Sequence, residues 1–401
     1  MNKFVEKILP TDPPLQPMKL TREPIVNRYW ATGLVGIVLG FVLGCFLWLW
    51  QQGILVSPDD YFNFKLSHAR LQIILFAGSF LLGFALQAGP HVIGGPPPSS
   101  RTVIFFLPFL WAGTALSLLE DPVLRMAGNA MVSVAFAGPA YLLLNITLAG
   151  NPDFRIPRGI PIAASFLLLA TSPWLELDDP GVALFVIWCG PITAVLVAAQ
   201  QLTNNVLGGK LLQGQKSVLF AVALFLAWLA SAGAAFFDDS YWRLSGILWA
   251  VVLYIQVKET DFIPSAMRQK FTSIQVVLLL AFSEIAISAI MPVLSGDDFI
   301  PDAAVHLLGA GVITTLILGV AARVAGFFCG DLVLRDRGLT YLLFAWTFLA
   351  VTRTLTSIGL GNSGWTMAMV YLGVVILIIW IVPMANRLIK IGKQFNPADN
   401  S

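Results

Sequence analysis

Charge is what this sequence lacks most. Only 11% of its residues are Asp, Glu, Lys or Arg while 57% are hydrophobic, against about 25% charged residues in an ordinary soluble domain. That shortage excludes a water-facing surface over most of the chain. Cysteine is scarce as well: Cys45, Cys189 and Cys329 are an odd number, each in or at the end of an apolar run. Neither a disulfide framework nor a paired-cysteine metal knuckle can be assembled from them, and they read as packing residues. Histidine is limited to His68, His91 and His306. A net charge of +2 is too small to attract a polyanion, so nucleic acid is excluded as a partner.

Long apolar runs are what the chain has in excess. Runs of roughly 17–25 residues can cross a bilayer, and twelve are expected, at 30–50, 67–88, 103–119, 125–148, 160–175, 181–200, 217–236, 241–257, 272–294, 303–327, 338–358 and 366–386. The fold class is therefore all-α, a polytopic membrane protein of about twelve transmembrane helices whose main partner is the lipid bilayer. One transmembrane domain is expected over 30–386, between an N-terminal tail (1–29) and a C-terminal tail (387–401). The first tail is polar and has no short apolar core with a cleavage site, so it reads as retained. A six-plus-six division near 201–216 is one way to organise the spans, although no motif recurs between those halves. Most of the 24 Lys and Arg fall on the two tails and on the loops after even-numbered spans, which predicts both termini in the cytoplasm. The opposite face is acidic, with Asp59, Asp60, Asp178, Asp179, Asp297, Asp298 and Asp302.

Ionisable residues inside spans are costly and are the first candidates for function. His68 opens the second span and His306 the tenth; both spans run from the acidic face inward, so the two imidazoles are expected at one depth. A lone interfacial histidine ordinarily bonds a neighbour or water, but a pair at matched depth can clamp a haem iron. Arg353 in span eleven and Arg70, two residues past His68, are near that face and could hold haem propionates, or else reach the interface or pair with acidic residues. Gly78, Gly83, Gly309 and Gly311 could open a slot for a macrocycle or allow close helix packing. Glu284 lies near the middle of span nine, beside Ser283 and one turn from Ser288. It could relay a proton, bind a metal or bond a neighbouring helix. Gln72, Gln87, Gln200, Gln201, Asn204 and Asn205 are expected to line the same cavity or bridge helices, and His91 reads as a loop histidine at the other end of span two.

These residues carry a resemblance. His68-Ala69-Arg70 with the later Gly94-Gly95-Pro96-Pro97 turn, and Ala303-Ala304-Val305-His306 through Gly311, Thr314, Ala322-Arg323-Val324 and Gly330, resemble the NnrS family of multi-span membrane proteins. Arg353 and the Leu248-Trp249 pair also fall where that family has similar residues. The resemblance implies an association with haem and copper, a role in nitric oxide or nitrogen-oxide metabolism, and a bacterial inner (cytoplasmic) membrane. Departures matter: the family's His-x-His followed by Glu and Met is here His68-Ala69-Arg70-Leu71-Gln72, Phe327-Phe328-Cys329-Gly330 replaces a Gly-His-Thr-Gly turn, and a histidine of an intermediate span is missing. A three-nitrogen copper site cannot be built, which makes copper doubtful, while one haem b with one or two axial histidines is feasible.

Three readings follow. The chain is a haem-bearing redox protein that passes electrons or acts on nitrogen oxides; or a proton-coupled transporter or channel using Glu284; or a structural subunit of a respiratory membrane complex. An electron donor or respiratory subunits are partners under the first and third. Catalytic residues and oligomeric state stay unassigned, and whether the chain is an enzyme is open.

Overall fold

The structure is a computed structural model that describes residues 25–268 and 272–394. Twelve long helices follow one another: α1 (Ile25–Gln51), α2 (Tyr61–Ile93), α3 (Ser100–Ser117), α4 (Pro122–Ala149), α5 (Pro152–Trp174), α6 (Pro180–Leu207), α7 (Gln215–Phe236), α8 (Tyr241–Glu259), α9 (Ser273–Ser295), α10 (Pro301–Cys329), α11 (Asp336–Ser357) and α12 (Ser363–Gln394). Eleven are long and apolar enough to cross a membrane; α8 has 19 residues but carries Arg243, Lys258 and Glu259 at its ends. Among the described residues there is no strand. The expected N-terminal tail lies outside the described residues up to position 24, and α1 already begins at Ile25. Toward the other end α12 continues through 387–394, where a tail was expected, and 395–401 lie outside the described residues.

Local chemistry sets these boundaries. Asp121 caps α4 by accepting from the Val123 and Leu124 amides, and Asp179 caps α6 by accepting from Val182, each with proline at the first helical position. Thr272 and Gln275 form a reciprocal capping box at the start of α9. At their far ends α2, α6 and α10 each stop on a glycine with positive φ, Gly94, Gly208 and Gly330. That conformation is cheap only without a β-carbon. In the loop beyond α8, a hydrogen bond from Lys210 holds the Asp261 carboxyl below the usual carboxylate range.

The helices form three successive groups of four, α1–α4, α5–α8 and α9–α12, rather than two groups of six. Each helix start recurs after about 120 residues. The acidic pairs Asp59-Asp60, Asp178-Asp179 and Asp297-Asp298 recur at intervals of 119 residues (59, 178, 297). The groups meet in cyclic order, α4 packing on α5, α8 on α9 and α12 on α1. The second helix of each group is the inner one: α6 has 94% of its most apolar stretch buried, against 33% for α12, and α2 and α10 follow α6. Three intervening helices separate each from the next, so α2, α6 and α10 run parallel. They touch one another at the centre.

All three inner helices are broken by π-helical turns, Leu71–Gly78 in α2, Trp188–Ile192 in α6, and Leu307–Ile313 and Ile317–Ala321 in α10. Such turns loosen the backbone ladder and free carbonyls. Side chains take them up: Trp346 Nε1 donates to Ala310 O (2.6 Å), Trp380 Nε1 to Leu318 O (2.9 Å) and Thr314 Oγ1 to Gly309 O (2.9 Å). Sequence periodicity gave no sign of these turns, because tertiary packing by large aromatics sustains them.

Candidate functional site

A cavity of about 450 Å³ opens among α1, α2, α6, α10, α11 and α12, near the ends that carry the acidic pairs. His68 and His306 both line it. Each is nine residues past the first Asp of its pair, on parallel helices, so the matched depth expected from the sequence holds. The third equivalent position is Ile187, nine residues past Asp178, and it lines the same cavity.

The two imidazoles are oriented by the same device. His68 Nδ1 lies 2.9 Å from the Gly40 carbonyl of α1, and His306 Nδ1 lies 2.8 Å from the Asp302 carbonyl one turn earlier. A carbonyl can only accept, so Nδ1 carries a proton in both rings, and in a neutral ring the lone pair is then on Nε2. A nitrogen held this way is the usual companion of a metal-bound Nε2. Gly44 makes room for His68, since a β-carbon there would come within 2.6 Å of the ring Cε1.

Beside His306 sits a compact charged network. Asp302 Oδ2 lies 3.4 Å from His306 Nδ1 and 3.5 Å from Arg353 Nη2, and it accepts from Ser357 Oγ at 2.7 Å. Arg353 also donates to Ser357 Oγ at 2.6 Å, and its guanidinium lies over the Trp48 ring, 5.7 Å from the centroid. Pairing of this kind offsets the cost of burying both charges. Tyr61, Lys65 and Gln72 complete the polar part of the wall.

Arg70 is not part of this cavity. Its guanidinium donates to the Ser117 and Pro173 carbonyls, and it lines a smaller cavity with Asp60, Glu120 and Arg125. Two residues past His68 on a helix, it points away from the histidine face. Lys65, three residues before His68, is the cation of α2 that does line the cavity. The i,i+3 and i,i+4 spacings of Lys65 to His68 and Asp302 to His306 were the signals that could have found these residues. Glu284 does not line the cavity either; it sits behind α10 against Gly311. His91, expected in a loop, instead lies in the last helical turn of α2, where it is exposed at the end away from His68.

The glycines divide. Gly309 faces open space within the cavity wall, whereas a β-carbon at Gly78 would meet the Phe136 ring at 2.6 Å and one at Gly83 the Tyr29 side chain at 2.7 Å. Gly78 and Gly83 therefore serve helix packing. Among the other polar candidates, Gln72 lines the cavity, while Gln87 accepts from the Ile25 amide and Gln200 donates to the Pro157 carbonyl, both bridging helices. Gln201 accepts from Arg158, and Asn204 donates to Gly209 O.

What the site can hold follows from its donors. Two imidazoles with Nδ1 held by backbone carbonyls, an apolar wall, and Arg353 and Lys65 as cations could hold a flat, iron-bearing macrocycle with acidic arms. Among the described residues no group of three His, Cys, Asp or Glu side chains gathers to hold a metal ion.

Fold and cavity together define an all-helical, multi-pass membrane protein with a paired-histidine pocket buried among its inner helices. The profile of the NnrS protein family matches residues 29–392, nearly the whole length, and the chain belongs to that family. Among curated proteins, none matches this sequence.

Proposed function

We propose that this NnrS-family protein binds one haem b between His68 and His306 and passes electrons in a bacterial cytoplasmic membrane, in the service of nitric oxide or nitrogen-oxide metabolism. The observation that carries the reading is the shared orientation of the two rings: each has Nδ1 committed to a backbone carbonyl and Nε2 left for a ligand in one cavity. When bound, haem b supplies a one-electron couple, and two strong axial ligands leave no coordination position for a gas. Arg353 and Lys65 line the cavity and would neutralise propionates, Arg353 through its guanidinium fork. Copper has no third nitrogen here, with Ile187 at the third equivalent position.

The basic tails and loops support cytoplasmic termini, which sets the cavity toward the opposite face. An electron donor there, soluble or part of a respiratory assembly, is the partner this reading requires. A pyridine haemochrome assay on detergent-purified protein tests it, with one haem b per chain expected. Protein purified with a full haem supply and still colourless would overturn the reading and favour a transporter or a structural subunit.

A further inference from the structure

Glu284 plays no part in the haem site, yet it is buried near the middle of α9 with 3% of its surface exposed. No hydrogen bond of ordinary geometry reaches either carboxyl oxygen among the described residues, although the Thr347 hydroxyl of α11 lies within reach of the carboxyl. Two further buried hydroxyls on the packed helices are unpartnered, Ser288 one turn along α9 and Thr315 four residues past Gly311 on α10. Buried polar groups are rarely left unpaired.

Gly311 is what admits the carboxyl, because a β-carbon there would lie 3.0 Å from Glu284 Cδ and 3.1–3.2 Å from its oxygens. Gly311 belongs to the π turn Leu307–Ile313 that directly follows His306. The same turn presents Gly309, Ala310 and Ile313 to the cavity. One turn of backbone therefore separates Glu284 from the space between the histidines.

Among the described residues no cation acts on it. Helix α6, packed on α9, carries no Asp, Glu, Lys, Arg or His. On α10 and α11, Asp302, His306 and Arg353 are engaged with one another at one end; at the other Arg323 pairs with Asp336, and Arg337 is exposed. On α8, Arg243 pairs with Asp297, and Lys258 lies at the far end over the Tyr254 ring. A lone carboxylate at membrane depth is costly. Its charge is tolerated only while a positive charge sits nearby.

We propose that Glu284 is the charge-compensating proton site of the cavity, a deepening that rests on the haem reading. The iron–porphyrin core of haem b, its propionates aside, would carry one positive charge when oxidised and none when reduced. When an electron from the donor reaches the cavity, one proton from water adds to a Glu284 carboxylate oxygen; on reoxidation the O–H bond breaks and the proton returns. Ser288, Thr315 and Thr347 are the hydroxyls that pass it.

Proton uptake on reduction, followed with a pH dye in weakly buffered detergent solution, tests this in the haem-loaded protein and in Glu284→Gln. The wild type is expected to take up close to one proton per haem more than the variant, and Glu284→Asp to retain uptake. Equal uptake by wild type and Glu284→Gln, with haem content intact, would overturn the assignment while leaving the haem reading standing; absence of haem would defeat both. Should Glu284→Gln fail to fold, the wild-type reduced-minus-oxidised infrared spectrum decides. A carboxylic acid band that appears on reduction and shifts in heavy water is expected, and its absence overturns the proposal.

Discussion

His68 and His306 stand nine residues past the first aspartate of their respective acidic pairs, and they line one cavity from parallel helices. The relationship is topological before it is chemical: a period of 119 residues, taken twice, carries one position onto the other. Replacing either with Ala should abolish or shift the haem spectrum, whereas His91→Ala should leave it unchanged. Optical spectra of the three purified variants check this, and an unaltered spectrum in both cavity variants would remove the histidines from the site.

Arg353 and Arg70 should behave oppositely. Arg353 borders the cavity and balances Asp302, so Arg353→Ala should weaken haem retention and lower the reduction potential through loss of a nearby positive charge. Arg70 holds two backbone carbonyls, so Arg70→Ala should cost about 1–3 kcal/mol of stability with no spectral change. Redox titration, haem content and thermal melting of the two variants separate these roles.

Asp302 orients His306 and offsets Arg353 at once. Asp302→Asn keeps the backbone carbonyl that holds the ring but removes a negative charge, and it is expected to raise the reduction potential while haem remains bound. A lower potential would mean that Arg353 had moved away with the lost pair.

Position 187 gives a further check on the threefold arrangement. Ile187→His should bring a third imidazole to the cavity, and haem-free protein carrying it should bind Co(II) with a ligand-field spectrum that the wild type lacks. No gain in Co(II) binding by a folded variant would show that position 187 does not converge with the two histidines.

Much of this architecture was legible because hydrocarbon imposes simple rules. Apolar length located the helices, and the aspartate pairs before α2, α6 and α10 put His68 and His306 at one depth. The threefold period was equally present in Asp59, Asp178 and Asp297, but it is sparse in side chains and emerged only once helix starts could be compared. Arg70 was misplaced by counting depth without rotation: two residues along a helix bring a side chain to nearly the opposite face. The π turns could not be read at all. Their loosened carbonyls are stabilised by Trp346 and Trp380, far away in sequence.

The account stands on two imidazoles sharing one iron, and carbon monoxide added to the dithionite-reduced, haem-loaded protein tests that most directly. Six-coordinate haem held by His68 and His306 predicts a Soret band that scarcely moves at stoichiometric gas, in contrast to His306→Ala protein that retains haem. A large, immediate shift in the wild type would mean an open iron position, contradict the paired-histidine account, and restore direct binding of nitrogen oxides.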